Sequence, residues 1–149
     1  MAHTHLRSSV ALTVAAALAS ISAIHVLWGR GSVFPFRDRQ QLNDQVVGQQ
    51  VELSPASCYA VAGMLAVAAV SVERAGRGSA PLARLAAMGC SVVLGARAVL
   101  GITGRTHLAV PGSTSPAFRR NDRRIYAPLC ATLSLGAAYA LMGARGRHG

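Results

Sequence analysis

Four apolar runs, separated by polar, arginine-bearing stretches, set the pattern of this chain. They are Val10–Trp28 (VALTVAAALASISAIHVLW), Ala56–Val72, Leu82–Ile102 and Ile125–Met142. A helix rises about 1.5 Å per residue, so about 20 residues cover the hydrocarbon core of a bilayer. The first and third runs reach that length; the second and fourth fall slightly short, which tilt or local thinning accommodates. None carries the polar face of a soluble amphipathic helix. Backbone groups in lipid must be satisfied within the segment, so each run predicts a helix. The alternating ten-residue segments of a membrane β-barrel do not occur.

The connections differ in kind. Gly29–Pro55 and Thr103–Arg124 read as long polar loops, the second marked by Pro111, Gly112 and Pro116. Glu73–Pro81 is short and glycine-bearing, which predicts a tight antiparallel hairpin between spans two and three. Ala87, Ser91 and Gly95 form a small-residue stripe on the third span, and Gly136, Ala140 and Ala144 form one on the fourth. Such stripes let backbones approach in lipid. Packing within the chain is the preferred use, and a homodimer seam is the alternative. Ala17-Leu18-Ala19 resembles a signal cleavage site, but the apolar run continues past it and the preceding segment holds one Arg, so the first span is expected to stay.

Composition agrees with lipid as the main solvent. Of 149 residues, 52% are hydrophobic and 13% are charged, against about 25% charged in soluble domains. The net charge of +10 comes wholly from Arg. These arginines flank the apolar runs, where head groups would meet them, and do not alternate with exposed aromatics as a nucleic-acid surface requires. Nucleic acid is therefore not an expected partner. An even number of spans puts both termini on one side, but Arg is plentiful at both faces, so the positive-inside rule gives no orientation.

Soluble-enzyme signatures are missing: no GxSxG, P-loop, dinucleotide fingerprint or HExxH. The acids are only Asp38, Asp44, Glu52, Glu73 and Asp122, too few for paired-carboxylate chemistry. Cys58, Cys90 and Cys130 lie inside apolar runs and form no CxxC, which predicts free buried thiols, with a Cys58–Cys130 bridge as the lesser alternative. No Cys/His cluster has metal-ligand spacing, so neither metal nor cofactor is expected.

What remains is a polar cluster at one membrane face. Span one ends there with His25 and Trp28, span three with Arg97, Gly101 and Gly104, and span four begins there with Asp122, Tyr126 and Cys130. Trp28 and Tyr126 read first as interfacial anchors. His25 reads first as a hydrogen bond between helices. Arg97 is the most demanding, because a charge at mid-helix costs about 2.5–3.5 kcal/mol on the insertion scale. It must reach the interface or find a partner, and Asp122 is the one acid near its depth on another span. The run Arg119-Arg120-Asn121-Asp122-Arg123-Arg124 reads first as a belt for lipid phosphates. The candidate polar site is His25, Trp28, Arg97, Asp122 and Tyr126.

FRRNDRRIYAPLC, Phe118–Cys130, resembles the F-x-x-x-D-x-x-x-Y-x-P-L-C block of the bacterial small membrane proteins grouped as domain of unknown function 3995. WGRGSVFP, Trp28–Pro35, and Arg97 with Gly101 and Gly104 are similar to that family's stretches at the ends of spans one and three. The resemblance runs in order from His25 to Leu133. It implies a four-span bundle, draws attention to Asp122, Tyr126 and Pro128, and carries no assigned activity.

The expectation is therefore an all-α, four-transmembrane-helix bundle, one domain over residues 1–149, in the bacterial inner membrane. Its favoured role is structural or accessory, beside a membrane protein partner or a second copy, rather than enzymatic. A membrane-embedded enzyme or binding protein for a lipid-like small molecule is the second reading. A small-molecule transporter is the third, weakened by the lack of repeats.

Overall fold

The computed structural model describes residues 2–48, 53–78 and 81–142. Every element among them is helical. The order is α1 (Ala2–Gly29), α2 (Arg39–Leu42) running into a π turn (Asn43–Val47), α3 (Pro55–Gly76), α4 (Pro81–Ile102), a 3-10 turn (Thr106–Leu108), α5 (Pro116–Asn121), a second π turn (Asp122–Tyr126) and α6 (Ala127–Leu141). Glu52, Ala144, Arg145 and Arg147 lie outside the described residues.

Three helices are long and apolar enough to cross a membrane: His5–Gly29 within α1, α3 and α4. Local chemistry fixes their starts. Ser54 caps α3 by accepting from the Ser57 amide, with Pro55 just inside, where its missing N–H goes unused. The fourth apolar run departs from a plain helix beginning at Ile125. The chain turns helical at Pro116, capped by Ser115, and passes through the π turn into α6 without a break. Alone, α6 has 15 residues, about 22 Å of rise, which is less than a hydrocarbon core.

The helices pack as two intimate antiparallel pairs, α1 with α3 and α4 with α6, which then pack together. Antiparallel order follows from the contacts. Gly76, at the end of α3, faces Ala11 near the start of α1, while Gly29 faces Tyr59 at the opposite ends. Arg84 near the start of α4 donates to the Leu141 carbonyl at the end of α6, 3.2 Å away. In the half near the termini the core is built from small side chains. Ala11, Val14 and Leu18 of α1 meet Ala69, Val72 and Ala75 of α3, Ala87 of α4, and Leu133, Ala137 and Ala140 of α6. At Gly136 an added Cβ would stand 2.6 Å from Cγ2 of Val14, so only glycine lets α1 and α6 approach this closely. The α4 stripe works on α6 in the same way. Ser91 and Ser134 exchange hydrogen bonds, each hydroxyl donating to the other's carbonyl at 2.9 and 2.7 Å, beside Gly95. The described small residues of both stripes are thus spent within the chain.

Large apolar side chains point the other way. Leu12, Met64, Val67, Leu85, Val92, Val93 and Leu135 are all exposed. Small residues inside and large aliphatics outside is the arrangement expected when the surrounding solvent is hydrocarbon.

The two long connections are folded segments rather than plain loops. α2 buries Leu42 beside Trp28 and Cys58. The buried Asn43 accepts from the Leu53 amide, 3.2 Å. Gly48 has φ +72°, and its carbonyl receives the amides of Thr114 and Ser115 from the other connection. Phe118 packs on Gly48 and is 2% exposed. Polar sequence concealed these folds because one or two buried residues per segment carry them.

Candidate functional site

At the face formed by these connections, the ends of the helices spread around a cavity of about 520 Å³. α1 contributes Leu18, Ile21, Ile24, His25 and Trp28. α3 contributes Val61 and Leu65, and α4 contributes Leu94 and Arg97. The second π turn and α6 contribute Tyr126, Leu129, Cys130 and Leu133. Pro35, Phe36 and Val46 from the first long connection complete the wall. The lining is aliphatic and aromatic apart from a few polar groups, the composition of a small-molecule site.

Each polar group is held by its own neighbours. His25 Nδ1 lies 2.9 Å from the Ile21 carbonyl one turn earlier in α1, so its hydrogen bond is within its own helix and not, as expected, between helices. A carbonyl can only accept, so Nδ1 carries the hydrogen, and in the neutral ring Nε2 keeps its lone pair. The His25 and Trp28 rings meet at 4.9 Å. The Trp28 indole N–H donates to the Phe34 carbonyl, 2.7 Å, and the indole is 8% exposed. Trp28 is therefore a buried strut for the first long connection, which corrects its reading as an interfacial anchor. The Tyr126 hydroxyl donates to the Gln45 carbonyl, 3.2 Å, and Asn121 donates to the Gln45 side chain, 3.3 Å. Half-buried Tyr126 thus ties its π turn to the first long connection.

Arg97, on the cavity wall, pairs with Asp122. Nη2 lies 2.6 Å from Oδ1, with the arginine side chain 26% exposed and the carboxylate 3%. Oδ2 accepts from the Thr106 hydroxyl. Both carboxylate oxygens are thus engaged, which is what a buried charge needs to be tolerable. Gly101 makes the fit possible. A Cβ there would stand 2.6 Å from that of Ala127, 3.0 Å from Arg97 Nη1 and 3.1 Å from Asp122 Oδ1. Arg97 Nη1 itself is buried and has no acceptor among the described residues, so the guanidinium retains unspent donor capacity.

Beyond the pair lies a second, polar hollow of about 240 Å³. Gly101, Gly104, Thr106, His107, Ser113, Thr114, Arg119, Asp122 and Arg123 line it. The five residues singled out from sequence therefore divide. His25, Trp28, Arg97 and Tyr126 stand on the apolar cavity, Asp122 stands on the polar hollow, and the Arg97–Asp122 pair is the partition between them. Thr106, Gln45 and Gly101's packing role were not legible. Thr106 lies in a polar stretch with no periodic signal, and Gln45 acts largely through its backbone carbonyl. Cys58, Cys90 and Cys130 are free, so the Cys58–Cys130 bridge does not form. Among the described residues no group of His, Cys, Asp or Glu is arranged to hold a metal.

Searches of curated proteins and of solved structures found no match. Residues 10–137 match the model of a family described as Protein of unknown function (DUF3995), a stretch that takes in the first long connection, the Arg97–Asp122 pair and most of α6. The chain belongs to the DUF3995 family.

Proposed function

We propose that this protein crosses the bacterial inner membrane four times and binds a lipid-like small molecule in the apolar cavity, with the ligand's polar end towards His25, Arg97 and Tyr126. The fourth span in this reading is the continuous helix from α5 through the π turn to the end of α6. The cavity carries the proposal. A space of about 520 Å³ falls within the range of about 300–1,000 Å³ typical of small-molecule sites. It lies beside a core in which small side chains such as Ala11, Ala69, Ala87 and Ala137 pack together. Evolution of a purely structural bundle has no reason to stop filling there, since alanine and leucine close the other half. The small-residue faces that would serve an accessory protein as docking seams are occupied by α1–α6 and α4–α6 packing instead.

The test is mass spectrometry of organic extracts from the purified full chain, beside a Leu65→Trp variant that fills the cavity. An apolar molecule with a polar end, enriched over bulk lipid in the parent and lost from the folded variant, is the expected result. Identical extracts from both would refute the proposal.

A further inference from the structure

The polar hollow on the far side of the Arg97–Asp122 pair has a chemistry of its own. Arg119 in α5 and Arg123 in the π turn that follows it both line this hollow. Both are exposed, and neither has an ion-pair partner among the described residues. His107 and Thr114 border the same space and add hydrogen-bonding groups. The one acid present cannot neutralise the arginines. Asp122 gives one oxygen to Arg97 and the other to Thr106, and is 2% exposed. The hollow therefore offers two guanidinium forks beside a carboxylate whose charge is already paired with Arg97.

We infer that this hollow is a phosphate site, taking the phosphate of an anionic lipid head group or of a soluble phosphomonoester. Guanidinium forks match an oxyanion bidentately. A single carboxylate has two oxygens and satisfies one fork, whereas a phosphate can serve two forks and the groups beside them. The hollow is distinct from a general arginine belt. It uses Arg119 and Arg123, while Arg30 and Arg37 lie at the same end of the helices without lining it.

The experiment uses the full chain in nanodiscs of phosphatidylcholine doped with phosphatidic acid, and in detergent with glycerol 3-phosphate. Retained lipid is counted by native mass spectrometry, and glycerol phosphate binding is measured by calorimetry. Arg119→Gln/Arg123→Gln is compared with the charge-matched Arg30→Gln/Arg37→Gln. Removing one charge-assisted fork corresponds to about a tenfold loss of affinity, so the first double variant loses at least that and the second stays within about twofold. Binding of phosphatidic acid alone assigns a lipid head group; binding of both assigns a phosphate site open to soluble ligands. Equal losses in the two variants mean an unspecific belt and overturn the inference, as does no binding of either probe by the parent. If Arg119→Gln/Arg123→Gln does not fold, hydrogen exchange on the parent decides. Phosphatidic acid must protect Gly104–Ser115 relative to phosphatidylcholine, and no protection overturns the inference.

Discussion

The two ends of this helix assembly solve the same packing problem in opposite ways. Near the termini, Ala11, Ala69, Ala75, Ala87, Ala137 and Ala140 bring four helices into direct contact around Leu18, Val72 and Leu133. Towards the long connections the same four helices part around about 520 Å³ of space and carry His25, Arg97 and Tyr126 on the wall. The core of the first end is built from small apolar side chains. The second is heterogeneous, and an ion pair and two folded connections hold it together. Contact area stabilises one end, and specific polar pairing stabilises the other, so substitutions should separate them.

The largest effect is expected at the ion pair. Asp122→Leu leaves Arg97 desolvated and unpaired, a loss of about 3–5 kcal/mol, read as collapse of the monodisperse peak in detergent chromatography. Arg97→Leu alone strands the carboxylate and should cost a similar amount. The double replacement should recover much of it, because both charges are gone. Independent, additive losses would show that the two groups are not coupled. Next in size is Gly136→Val. Its Cβ has no room beside Val14, and overpacking of this kind costs about 1–3 kcal/mol. A thermal melting curve in detergent unchanged from the parent would mean that the tight end is not tight. The smallest effect belongs to Leu65→Trp, which adds bulk where the structure has space. Its cost should stay below that of Gly136→Val. A loss as large as that of Gly136→Val would erase the contrast between the ends.

Hydropathy made the helices legible, since Leu82–Ile102 and Val10–Trp28 leave no alternative to spanning length. Arg97 made its partner legible by elimination, because so few acids exist and only Asp122 lies near its depth. The site's division into two chambers was not legible. Space is a property of four helices together, and no periodicity within any one of them records it. The π turn at Asp122–Tyr126 was also hidden, since it changes the phase of the helix without changing its composition. The burial of Leu42, Asn43 and Phe118 was not legible because each is a single buried residue in a polar setting. Hydropathy averages hide such positions.

The Trp28 strut has an optical consequence. It is the chain's one tryptophan, so the indole emission of the entire protein arises from a single ring on the cavity wall. That ring is nearly sealed from the surroundings, donates its N–H to Phe34, and has the His25 imidazole 4.9 Å away. Its colour reports the polarity of the chamber, and its brightness reports the contact with His25. Both are readable in lipid or detergent with no label attached.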